Sequence, residues 1–232
     1  MRGILEGLRS VDGRAALALL YTAAGLTLLE FFYMPWHVQR RIDGRSELSV
    51  EAGATYCVAT CVVYLVLPAL IVRFGQREKL ASIGYDLRGF VRHAWVYLAG
   101  YVLMLPLLFA AARRPDFAGL YPFVHEARAS WGAFWTWEAF YMLQFLSLEA
   151  FFRGYLLMTL ERRFGWTAIF VMVVPYCMIH YHKPWLEAYA AIAAGVALGA
   201  LALRFRSFYG GALLHGLVAL TMDLLAVRAL GL

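Results

Sequence analysis

Glu149 and Arg153 stand four residues apart in LEAFFRG, a stretch whose other side chains are almost all apolar. His180 closes a second apolar run in YCMIH, and His215 lies within a third in GGALLHGLVA. A carboxylate and imidazoles shielded from solvent are groups that take a proton from water near neutral pH. The same three side chains, Glu149, His180 and His215, are also a possible ligand set for a divalent ion such as zinc, with one position left for water. Both routes lead to hydrolysis, with Arg153 holding Glu149 in place or offsetting charge on a substrate oxygen. A structural ion pair between Glu149 and Arg153 is the plainer alternative, because the two lie about 40° apart on one helical face.

Other polar groups lie within reach of this set. Glu138 precedes Glu149 by eleven residues and falls within about 20° of the same helical face. Asp223 follows His215 by eight residues, and Glu187 follows His180 by seven. Tyr176 opens the YCMIH stretch. His182 points about 200° away from His180 on a common helix and adjoins Lys183-Pro184, so His180 is the candidate and His182 belongs at an interface.

The elements that must position these groups follow from composition. The chain has 232 residues, 62% hydrophobic and 16% charged, with a mean hydropathy of +0.65. Soluble domains carry about 25% charge, so the class is a polytopic α-helical membrane protein. A transmembrane β-barrel is excluded by apolar runs that are continuous and do not alternate. Apolar segments at about 15–36, 53–72, 94–112, 131–160, 166–179, 186–203 and 210–227 predict about seven spans (seven or eight), the long fourth one tilted or protruding. The fifth is short for a span. The whole chain, 1–232, reads as one transmembrane domain whose motif-bearing part is about 131–228. Within the sixth segment Gly195 and Gly199 are four apart, the small-residue spacing that lets helices approach closely in lipid.

The net charge of +6 sits in short loops between apolar runs, which points to anionic lipid headgroups and away from nucleic acid. Basic residues, Arg2 and Arg9 among them, are more numerous on the N-terminal side of the spans, which favours a cytoplasmic N-terminus. The first fourteen residues read as an interfacial lead-in with no signal-peptide cleavage site. Cys57, Cys61 and Cys177 form no disulfide framework and read as small buried hydrophobes.

In order and placement these stretches resemble the CPBP family of intramembrane proteases, which includes type II CAAX prenyl proteases and bacteriocin-processing or immunity (Abi-like) proteins. LEAFFRG resembles the family's EExxxR motif from Glu149 through Arg153, YCMIH its FxxxH motif with Tyr176 in place of Phe, and the stretch around His215 its HxxxN/D motif. The resemblance implies a helical bundle in a cell membrane, such as a bacterial inner membrane. It also implies an endopeptidase acting on a peptide or membrane-protein substrate near the membrane, with Glu149, Arg153, His180 and His215 at the site. Two positions depart from the pattern. The first glutamate of EExxxR, to which the family's water activation is assigned, is Leu148 here, and the Asn or Asp four after the last histidine is Ala219. These departures raise the alternative of a catalytically inactive immunity-like or scaffolding relative. A proton-coupled carrier, the third class open to intramembrane Glu, His and Arg, lacks the internal repeat expected of many such folds.

Overall fold

The computed structural model describes residues 10–114 and 117–231. Most of the expected interfacial lead-in, with Arg2 and Arg9, lies outside the described residues. Every regular element among those described is helical, which matches the expectation of an all-α chain.

Helix α1, Gly13–Ile42, begins at Asp12, whose carboxylate accepts from the backbone N–H groups of Arg14 and Ala15 at 3.0 Å. A π turn over Leu29–Tyr33 and the proline at position 35 bend it, as an i→i+5 widening followed by a missing N–H must. Ser49 caps α2, Val50–Gly75, and Asp86 caps the long part of α3, Leu80–Ala112. Ser130 caps α4, Trp131–Glu149, which runs on through a π segment, Ala150–Leu156, and a last stretch, Leu157–Phe164. Then follow α5, Ala168–Met178, α6, Trp185–Phe205, and α7, Tyr209–Ala229.

Five stretches, α1, α2, α3, α6 and α7, are long and apolar enough to cross a membrane. Five of the seven expected spans meet this measure of length and composition. The other two differ for separate reasons. Helix α5 has only eleven residues, and α4 carries Glu138, Glu149 and Arg153 along its length. Helix α4 and its continuation form the buried axis of the molecule: Phe151, Phe152, Tyr155 and Leu156 are fully buried. Helices α2 and α7 pack against α4, α3 packs against α7, and α5 packs against α6. Large apolar side chains such as Leu20, Phe74, Trp95, Leu103 and Val174 remain exposed on the outside, where lipid tails are their natural surroundings.

Between apolar helices in lipid, close packing replaces water exclusion as the source of association. The α5–α6 seam shows it. A Cβ on Gly195 would come within 2.9 Å of Val173, and one on Gly199 within 3.2 Å of Ile169 and Met172. The small-residue spacing is therefore a helix contact. All three cysteines are free, and Cys57 is buried.

Outside the spans, one polar cluster joins three elements. Glu78, between α2 and α3, accepts from both terminal nitrogens of Arg162 at 2.7 and 2.6 Å, pairs with Arg14 at the start of α1, and accepts from the Ser82 hydroxyl at 3.1 Å. The Arg162 hydrogen bonds are the largest influence holding the Glu78 carboxyl down at about 2, against 4.5 ordinarily. A carboxylate depressed in the folded state stabilises above its unfolded pKa, and that stability is lost as pH falls toward the folded value. The melting temperature in detergent should accordingly drop between about pH 4.5 and 2, and Glu78→Gln should flatten that part of the profile.

Candidate functional site

Three of the four sequence candidates meet directly. Glu149 ends the regular part of α4 and is fully buried. Its Oε1 lies 3.0 Å from an Arg153 terminal nitrogen and accepts from His215 Nδ1 at 3.3 Å. The π segment that starts at Ala150 carries Arg153 past Glu149 while keeping both side chains inside the bundle. The Arg153 guanidinium lies 3.8 Å from the centre of the Tyr176 ring, brought from α5. In a low-dielectric interior a cation over a ring face and beside a carboxylate is held from two sides.

The backbone of α7 makes room for this arrangement. A Cβ on Gly211 would sit 2.4 Å from Glu149 Oε2, and one on Gly210 would overlap the Tyr97 ring at 2.0 Å. Only a glycine lets α7 approach the buried carboxylate so closely. Gly211→Ala should displace Glu149 from His215 and destabilise the fold by about 1–3 kcal/mol, the usual cost of overpacking. Detergent or SDS unfolding of the variant measures it.

His180 lies in the turn just after α5. Its Nδ1 faces the Tyr176 carbonyl oxygen at 2.8 Å, so Nδ1 carries the hydrogen and Nε2 keeps its lone pair. The Tyr176 ring meets the imidazole edge-on at 4.8 Å, fixing its plane. His215 is fixed the same way by a carboxylate in place of a carbonyl, with the Phe145 ring 4.4 Å away. His180 and His215 both line one cavity of about 130 Å³. Each ring is tied through Nδ1, which leaves Nε2 as the nitrogen open to that space.

The cavity wall distributes the remaining candidates. Leu148 and Ala219 face it, so both motif departures leave apolar surface where polar groups are otherwise expected. Glu149 is not on the wall. It stands behind His215, and the role of contacting water that its sequence suggested passes through the imidazole. Asp223 does line the cavity, and its Oδ2 accepts from the Trp137 indole N–H at 3.2 Å; Glu138 is buried but does not line it. Glu187 lines the cavity as well, paired with Lys183 at 3.4 Å and accepting from the Tyr121 hydroxyl. His182 also lines the cavity, and its Nε2 pairs with Glu30 at 2.9 Å.

Sequence reading missed Trp137, Gly211 and Tyr121. The Gly210-Gly211 pair just before His215 was the available signal for the second. Among the described residues, no three His, Cys, Asp or Glu side chains are placed to hold a metal ion. Glu149 Oε1 is taken up by Arg153 and His215, and its Oε2 faces the α7 backbone. A zinc site built from Glu149, His180 and His215 does not fit this arrangement.

Residues 129–221 match the family model described as type II CAAX prenyl endopeptidase Rce1-like. Over this segment the chain is similar to that family. The matched segment runs from the cap of α4 to the middle of α7 and contains every wall-forming histidine and the Glu149–Arg153 pair. Asp223 lies two residues beyond its end. Neither a curated protein nor a solved structure matches the chain.

Proposed function

We propose that the protein is an intramembrane endopeptidase of the CAAX-protease type, hydrolysing a peptide bond of a peptide or membrane protein held in the His180–His215 cavity. The observation that carries this reading is the pair of imidazoles on one cavity, each anchored through Nδ1 with Nε2 left open. His180 Nε2 takes a proton from water as the water oxygen adds to the substrate carbonyl carbon. His215, when it carries a second proton, presents Nε2–H to the developing oxyanion, and the buried Glu149 carboxylate balances its charge. Arg153 and Tyr176 keep that carboxylate in position. Membrane lipids surround the bundle and deliver the substrate laterally.

A second reading has its own support. Leu148 and Ala219 leave the cavity wall apolar at two positions where the resemblance expects polar groups. An inactive immunity-like or scaffolding relative would keep the buried polar cluster for its architecture alone.

The experiment is turnover of a quenched-fluorescent peptide library by the purified protein in detergent. Cleavage by the wild type and its loss in a folded His180→Ala variant support the peptidase. Equal turnover in the variant discards it, and wild-type protein that cleaves nothing while the variant merely melts lower supports the second reading.

A further inference from the structure

Peptide hydrolysis needs one proton donor beyond His180 and His215. The first takes a proton from water and the second holds the oxyanion, so the departing amine is still without one. A third imidazole lines the same cavity, that of His182. It stands on the turn that carries His180, closed by the Lys183 N–H donating to the His180 carbonyl at 3.0 Å. Two steps of chain keep the α-carbons of His180 and His182 within about 7 Å of each other. Facing His182 from α1 is Glu30, a carboxylate in the otherwise apolar run LLEFFY, inside the π turn that bends that helix. His182 Nε2 donates to Glu30 Oε1 at 2.9 Å, and the Trp36 ring meets the imidazole edge-on at 4.9 Å. Among the described residues Nε2 is the nitrogen that is held, which leaves Nδ1 free. The three wall histidines therefore differ in what anchors them. His180 is tied to a neutral carbonyl, which offers nothing to offset a second proton. His215 and His182 are each tied to a carboxylate, which balances the charge of an imidazolium.

We propose that His182, oriented by Glu30, is the general acid that protonates the leaving amine. The proposal rests on the peptidase reading above. Base and acid then come from a single turn, and the oxyanion donor from α7. Water adds to the carbonyl carbon as its proton passes to His180 Nε2. The carbon–nitrogen bond then breaks with its electron pair on nitrogen, and that nitrogen takes the Nδ1 proton of the His182 imidazolium. Glu30 touches neither substrate nor water in this step; it is a positioning residue that fixes the ring and balances its charge. His182 and Glu30 are both partly exposed, unlike the buried Glu149. Solvent can therefore carry the His180 proton back to His182, which leaves a carboxylic acid, an amine and both imidazoles as they began.

The test separates a general acid from a structural clip between α1 and the α5–α6 turn by the leaving group. A peptide amide that the wild type cleaves is compared with the matching acyl segment carried as an aryl ester, whose phenolate departs without a proton. In His182→Gln, whose amide N–H can still donate to Glu30, amide turnover should fall about 100-fold or more, the scale of general acid catalysis, with KM little changed. Turnover of the aryl ester should be nearly unaffected. Glu30→Gln, which keeps an acceptor for His182 and removes the charge, should show the same split to a smaller extent and carries the test if His182→Gln fails to fold. Equal losses on amide and ester, or amide turnover unchanged while His180→Ala is inactive, overturn the proposal and leave the peptidase reading standing. Wild-type protein that cleaves neither substrate overturns both.

Discussion

Arg153→Met should lower the unfolding free energy by about 3–5 kcal/mol, the cost of leaving a buried charge without its partner. The reason lies in what surrounds Glu149. Its side chain and that of Arg153 are both fully buried, and Oε1 rests 3.0 Å from the guanidinium. Methionine fills much of the arginine's volume, so packing is largely retained and the loss reports charge. Removing the guanidinium leaves His215 as the sole polar partner of Glu149 among the described residues, and the Tyr176 ring loses its cation. Glu149→Gln in the same chain removes the orphaned charge, and the double variant should recover part of the lost stability. A double-mutant cycle in SDS unfolding reads this coupling directly. Additive losses would show that Glu149 and Arg153 act separately, and the account of the pair would fall with them.

The sequence exposed this cluster because lipid makes polar residues conspicuous. Glu149, Arg153 and His215 were legible as partners: each interrupts an apolar run, and a charge at mid-membrane costs roughly 2.5–3.5 kcal/mol unless it is met. The motif order placed His180 with them, and it does share the cavity with His215. Which of the four reach the cavity was not legible. Glu149 lies behind His215 because the π segment after it and the close approach of Gly211 turn the carboxylate toward the α7 backbone, and neither follows from residue spacing.

The place of Glu138 was half visible. Helical periodicity put it on the Glu149 face, and it is buried, yet it does not line the cavity. The Glu187–Tyr121 contact depends on the loop between α3 and α4 folding back over the cavity, and no local signal encodes that. Helices α4 and α5 fall outside the five long apolar stretches for reasons an apolar run does not show: α4 carries buried charge and α5 is short.

His180→Ala should reduce peptide turnover by about 10²–10⁴-fold, the contribution of a positioned acid–base group, with only a small loss of stability. Among the described residues the side chain makes one hydrogen bond, to the Tyr176 carbonyl, and losing one such bond costs about 1 kcal/mol. The residue lies in the turn after α5, so truncation removes no helix-interior contact of the kind that holds α4. His180→Gln sharpens the comparison. Its amide can still donate to the Tyr176 carbonyl but offers the cavity no basic nitrogen. Glutamine should therefore restore the melting temperature while turnover stays as low as in the alanine variant. Rescue of turnover by glutamine would mean that His180 serves only to brace the end of α5. The water's proton would then have to go elsewhere, with His215, whose Nδ1 is also anchored on that wall, the first alternative.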